Sequence, residues 1–151
     1  MTVTVMQAAK RLCQRSGWTL SNLQLQKILY IAHMMYLGKT GQPLVNGHFE
    51  AWDYGPVEPE LYHYAKTFGA SPIKGVFRLV PDLEDDQPEA QELDKAVQAL
   101  SNVQPGQLVA MTHWDGGAWA KHYLSGRCNS IIRNQDIIEE YRARAKQINS
   151  N

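Results

Sequence analysis

The stretch Leu20-Ser21-Asn22-Leu23-Gln24-Leu25-Gln26-Lys27-Ile28-Leu29-Tyr30-Ile31-Ala32-His33-Met34-Met35-Tyr36-Leu37-Gly38 decides how this chain folds. Ser21 followed three residues later by Gln24 is the pattern of a capping box at a helix start. Gly38 suits the left-handed residue just past a helix end. Between them Leu25, Ile28, Leu29, Ala32, Met35 and Tyr36 recur at helical spacing. From Ile28 to Leu37 only His33 is clearly polar, so the helix is expected to be buried on nearly every side, as a central helix is. Its apolar run of about ten residues is too short to span a bilayer.

The flanking sequence supplies the elements that would surround it. A first helix is expected over about Thr4 to Arg15, with Val5, Ala9, Leu12 and Cys13 inward and Gln7, Lys10, Arg11 and Gln14 toward water. Gly17 ends it. Beyond a Gly- and Pro-containing turn, His48 to Tyr54 reads as a short aromatic strand, broken by Gly55-Pro56. Pro59 suits a first helical turn, and Leu61, Tyr62, Ala65 and Phe68 follow at helical spacing up to Gly69. Gly75 to Val80 reads as a second strand able to pair with the first. Pro81 to Pro88 is an acidic loop expected to be exposed and mobile. Helices are then expected over Glu89–Leu100, Gln107–His113, Ala118–Tyr123 and from Asn134 or Asp136 onward, with Gly126 as a stop before the last. The class is α+β, predominantly helical: a buried central helix, surrounding helices and a small β-hairpin, in one domain over residues 1–151.

Length and composition agree with one globular unit: 151 residues, 44% hydrophobic, 20% charged. Fifteen basic and fifteen acidic residues cancel, so no global field draws nucleic acid or an anionic membrane. No signal peptide, transmembrane segment or lipidation motif is present, which points to the cytoplasm and to reduced thiols at Cys13 and Cys128. The five histidines include no pair at the spacing of a zinc-binding helix, and no cysteines fall two to four apart, so neither a metal nor another cofactor is expected. Cys13 lies on an inward stripe, Cys128 has only Arg127 as an activating neighbour, and no serine sits between glycines in a nucleophile elbow. The chain therefore reads as a non-enzyme. A small enzyme using His113 or Cys128 is the rival, since catalytic groups assemble in space.

Two groups of aromatic residues beside turns stand out. One is Trp52, Tyr54, Gly55, Pro56 and Val57. The other is Thr112, His113, Trp114 and Trp119 around Asp115-Gly116-Gly117. Large aromatics near backbone breaks suit interface anchors, which makes Trp52, Tyr54, Gly55, Pro56, Val57, His113, Trp114 and Trp119 the candidate partner-binding residues. For Trp52 and Trp119 the competing and favoured reading is core, pinning the loops onto the central helix. Trp114, in a polar and glycine-rich setting, reads as exposed. On the central helix Gln26 and Lys27 open a polar edge continued by Tyr30 and His33. Either these groups are buried and hold nearby loop backbone, or they face a groove and touch a partner.

Three blocks carry a family resemblance. They are Leu20 through Tyr30, then Phe49-Glu50-Ala51-Trp52-Asp53-Tyr54-Gly55-Pro56-Val57 with Pro59 and Tyr62, and Leu108 through Thr112-His113 to Trp119. In this order they resemble the SocA-like antitoxin family, or Panacea domain, over about residues 20 to 123. Gln26, Lys27, Tyr30 and Thr112 are the motif residues. The family often has proline before the third block's tryptophan, where this chain has Ala118, and Trp114 also departs from the pattern. The resemblance implies an antitoxin that neutralises a cognate protein toxin by direct binding, with a ClpXP-type protease as a further partner if it acts as an adaptor. The family is not established as an enzyme, and the neutral charge and the missing apolar span lead to the expectation of no direct nucleic-acid contact and no membrane. The alternative within this fold is a phage or mobile-element protein that binds a host protein.

Overall fold

The computed structural model describes residues 3–124, 127 and 129–149; Cys128 and the expected stop at Gly126 lie outside them. Among the described residues, seven α-helices and three short strands follow in the order α1 (Val5–Arg15), α2 (Asn22–Thr40), β1 (Phe49–Trp52), β2 (Gly55–Val57), α3 (Pro59–Ala65), α4 (Pro88–Leu100), α5 (Pro105–Thr112), α6 (Ala118–His122), β3 (Ile131–Ile132) and α7 (Asn134–Asn149). This is the predominantly helical α+β arrangement that the sequence predicts.

The central helix is α2. Ser21 accepts from the Gln24 amide and Gln24 returns the bond to the Ser21 N–H, so the capping box is closed. Every position from Leu25 to Tyr30 is buried, because α1, α3, α4, α5, α7 and β2 all pack around the helix. Its end differs from the expected one. The helix runs through Gly38 to Thr40, and Gly41 takes the left-handed conformation at φ 76°. Gly38 has a packing role instead: a Cβ there would lie 2.2 Å from Cγ of Tyr141, so only glycine lets α7 approach so closely.

The sheet also departs from the expected pairing. Gly55-Pro56 does not break the strand but begins β2, which pairs antiparallel with β1 in the register Trp52↔Gly55 and Ala51↔Pro56. Asp53-Tyr54 is then a two-residue hairpin turn. The sheet order β2-β1-β3 leaves β2 at an edge, where proline removes no ladder donor that the sheet needs. Gly75 to Val80 is turns, not a strand. Phe77 sits at φ 69°, which no strand accommodates, and its buried ring stacks on Tyr64 at 5.1 Å.

Charge pairing corrects the expected outward placement of Arg11, while the acidic loop is exposed at Asp82, Glu84, Asp85 and Asp86 as expected. Arg11 is only 5% exposed. Its guanidinium bridges Asp94 of α4 at 2.8 Å and Asp85 at 2.9 Å, which offsets the cost of burying it. Asp82 and Asp85 of the acidic loop are thereby tied to α1 through Lys10, Arg11 and Arg15, and Leu83 is buried beneath them. No helix among the described residues is long and apolar enough to cross a membrane.

Candidate functional site

The polar residues of α2 organise the loops beside it. Gln26 is buried and makes a two-point tie to Glu58: its Nε2 donates to the Glu58 carbonyl at 2.9 Å, and its Oε1 accepts from the Glu58 N–H at 2.8 Å. Glu58 in turn caps α3, its carboxylate accepting from the amides of Glu60 and Leu61. Burial pushes the Glu58 carboxyl up, against the opposing pull of those amides. One helix residue thus fixes where β2 ends and α3 begins.

One position on, Lys27 is 1% exposed. Its Nζ donates to the Pro56 carbonyl at 3.0 Å, and burial pushes the amine down to about 7. Gly55 lies against it at φ 117°; a Cβ here would meet Oγ1 of Thr112 at 2.9 Å and Nζ of Lys27 at 3.1 Å. Glycine is required twice over, by conformation and by space. Thr112 spends its hydroxyl on its own helix, donating to the Leu108 and Val109 carbonyls.

The β1–β2 turn is gripped from the other side by a stack of rings. His113 lies flat on Trp119, centroids 3.8 Å apart, and Trp119 stacks on Tyr123 at 4.6 Å. Trp119 Nε1 donates to the Trp52 carbonyl at 2.7 Å, and the Tyr123 hydroxyl donates to Asp53 at 2.7 Å. Burial first, then the nearby Lys27, pushes the His113 imidazole down, and its Nε2 is buried without a hydrogen-bond partner.

A second polar cluster holds the stack itself. The Tyr30 hydroxyl donates to Oε1 of the buried Glu140 at 2.8 Å. The same oxygen accepts from the Ala118 N–H at 3.0 Å, at the first turn of α6. Arg144 closes the other oxygen at 2.7 Å and also donates to the Met111 carbonyl. Gly117 is forced by this contact, since a Cβ would lie 2.8 Å from the carboxylate.

Outside this frame, a cavity of about 610 Å³ opens beside the hairpin, lined by Asn22, Leu23, Gln26, Lys27, Trp52, Asp53, Tyr54, Val57, Tyr62, Lys66, Gly69 and Arg127. Trp52 meets Tyr62 edge to face at 4.7 Å on its wall. Tyr54, at the hairpin tip, is 71% exposed.

The sequence candidates therefore divide. Trp52, Tyr54 and Val57 line the cavity, and Tyr54 is also exposed to solvent. Gly55, Pro56 and Val57 are buried. His113 and Trp119 are half-buried in the stack. Trp114 is half-buried rather than exposed, with the Arg144 guanidinium 4.8 Å above its ring, because α7 folds back over the Gly116-Gly117 turn. His122 pairs with Asp136 at 2.5 Å, and no described group of His, Cys, Asp and Glu is arranged to hold a metal. Cys13 is a free core thiol that burial pushes up to about 12. Sequence reading missed Glu140 and Glu58, and it named Asn22 and Tyr62 within the motif blocks without singling them out as site residues. The first two announce themselves only as carboxylates in otherwise solvated-looking positions.

Comparison with known proteins gives a family match for most of the chain that carries these contacts. A family model described as "Antitoxin SocA-like, Panacea domain" matches residues 25–120, the span from α2 to α6. A curated relative, Antitoxin SocA of Caulobacter vibrioides (strain NA1000 / CB15N), is 35% identical over 109 residues, 66% of this chain. The match spans 58% of that relative's length. No solved structure matches the chain.

Proposed function

The chain belongs to the SocA-like antitoxin family, Panacea domain, and from that premise we propose that it is the antitoxin of a toxin–antitoxin pair, acting in the cytoplasm by binding a cognate protein toxin. The family match over residues 25–120 carries this reading. The geometry supports a binding mode. The hairpin tip at Asp53-Tyr54 is held by Lys27 and Gln26 below and by the His113–Trp119–Tyr123 stack behind. A recognition loop clamped in this way loses little conformational entropy when a partner docks. The contact surface is Trp52, Tyr54 and the mouth of the adjoining cavity, with Gly55, Pro56, Val57, His113 and Trp119 setting its shape from behind. A specific interface buries about 800 Å² per partner around a few aromatic anchors, and Trp52 and Tyr54 are residues of that type.

Neutralisation takes place without bonds made or broken, either by covering the toxin or by handing it to a ClpXP-type protease. The test is co-expression with the small gene adjacent to the one encoding this chain. That gene is expected to be toxic alone and harmless beside this protein. A gene harmless alone, or toxic in both settings, removes the antitoxin reading. Toxin level separates the two routes: it falls in a protease-dependent way for an adaptor and stays constant for steric cover.

A further inference from the structure

The cavity beside the hairpin carries a charge pattern that the protein as a whole does not. The chain has no net charge, yet among the described residues the cavity wall brings together Lys27, Lys66 and Arg127 against Asp53 alone, and that carboxylate already accepts the Tyr123 hydroxyl. Lys27 is the unusual member. It is buried with one carbonyl as partner, and among the described residues no carboxylate pairs with it. A buried amine in this state lacks the counter-charge that would hold its proton. Asn22, on the same wall and 7% exposed, has its Oδ1 buried without a hydrogen-bond partner. Buried polar atoms are nearly always satisfied in a working complex. Trp52, Tyr62, Leu23 and Val57 give the rest of the wall an apolar character.

We propose that this cavity receives an acidic peptide segment of the protein partner, its carboxylate set toward Lys27, Lys66 and Arg127 and its apolar neighbours against Trp52 and Tyr62. Each wall feature asks for a different part of such a segment. The cations ask for an anion, the orphaned Asn22 oxygen asks for an N–H donor, and the rings ask for apolar surface. A free inorganic anion brings only the first; a peptide brings all three. The cavity volume of about 610 Å³ lies inside the range of about 300–1,000 Å³ typical of ligand sites. The assignment rests on the reading above that this chain binds a protein partner, and it names the chemistry of the segment bound.

The test uses the full chain and two capped peptides, acetyl-Leu-Asp-Phe-amide and acetyl-Leu-Asn-Phe-amide, titrated into the ¹⁵N-labelled protein. The acidic peptide is expected to shift the amides of Asn22, Lys27, Trp52 and Tyr54. The amide peptide is expected to bind at least about tenfold more weakly, since charge-assisted bonds are roughly twice as strong as neutral ones. Lys66→Glu combined with Arg127→Glu, both at exposed positions, is expected to weaken the acidic peptide about tenfold or more while leaving core resonances in place. Equal binding of both peptides, shifts confined to another surface, or no shifts up to the solubility limit would each overturn the assignment. These results do not depend on the toxin. A chain that binds the acidic peptide but protects against no adjacent gene fails as an antitoxin only; one that protects yet ignores both peptides fails here only.

Discussion

Lys27 and Tyr30 sit three residues apart on α2, both buried, and their polar ends meet opposite surroundings. The Tyr30 hydroxyl enters a closed network: Glu140 takes it, takes the Ala118 amide with the same oxygen, and is neutralised by Arg144. The Lys27 amine reaches one carbonyl and a cavity. A buried polar network with every member satisfied rigidifies a fold. A buried amine short of a counter-charge, beside open space, is a candidate for a functional site. One helix therefore carries a closed polar network on one side and, on the other, an amine without a counter-charge beside the cavity that we propose for recognition.

The most severe way to break the framework side is Glu140→Ala. It removes the counter-charge of the part-exposed Arg144 and leaves the buried Tyr30 hydroxyl and Ala118 amide without their acceptor, each orphaned buried group costing about 1–3 kcal/mol. Urea unfolding is the measurement; a loss below about 1 kcal/mol would mean that the network contributes no more than a surface pair. Gly38→Ala strikes the same side through packing. The new methyl meets the Tyr141 ring at 2.2 Å, and overpacking of this kind costs about 1–3 kcal/mol. A variant as stable as the parent would show that α7 can slide off α2 freely.

Lys27→Met sharpens the recognition side. Burial lowers the amine from 10.5 to about 7, so between those values the unfolded chain binds the extra proton. Stability from this group is complete above the unfolded value, is lost as pH falls toward 7, and is flat below that. The slope is at most about 1.4 kcal/mol per pH unit. Cys13, whose thiol is raised, contributes a slope of the opposite sign in both proteins, so the difference between them isolates Lys27. Unfolding curves from pH 7 to 9.5 are expected to show the rise in the parent relative to the variant. Parallel curves would place an unseen counter-charge at Lys27. The smallest stability effect belongs to Tyr54→Ala, within about 0.5 kcal/mol as expected for an exposed residue, paired with weakened protection in the co-expression assay. Full protection by that variant would move the contact surface away from the hairpin tip.

Much of the framework is legible along the chain because helices are local objects. The Ser21–Gln24 box, the apolar run of α2, the proline opening α3 and the periodicity of α4 and α7 each depend on residues within one or two turns. The sheet was only half legible. β1 shows in its aromatics, but its partner is chosen by backbone pairing, and Gly55-Pro56 looked like a stop until the two-residue turn put it in register. Gly75–Val80 has strand composition and is folded into turns by the burial of Phe77.

The candidate site follows the same division. Trp52 and Tyr54 are visible as aromatics beside a turn, and they line the cavity. Arg11 read as a water-facing charge and nothing along the chain singles out Glu140, because what buries them comes from far along the sequence: Asp94 for Arg11, and Tyr30, 110 residues away, for Glu140. Sequence by itself determined that a buried helix with polar exceptions would run through the middle and that aromatic loops would flank it. Only the tertiary structure decided which exception is paired and which is left facing a cavity, because a side chain's partner is set by what packs against it, and its neighbours in sequence do not carry that information.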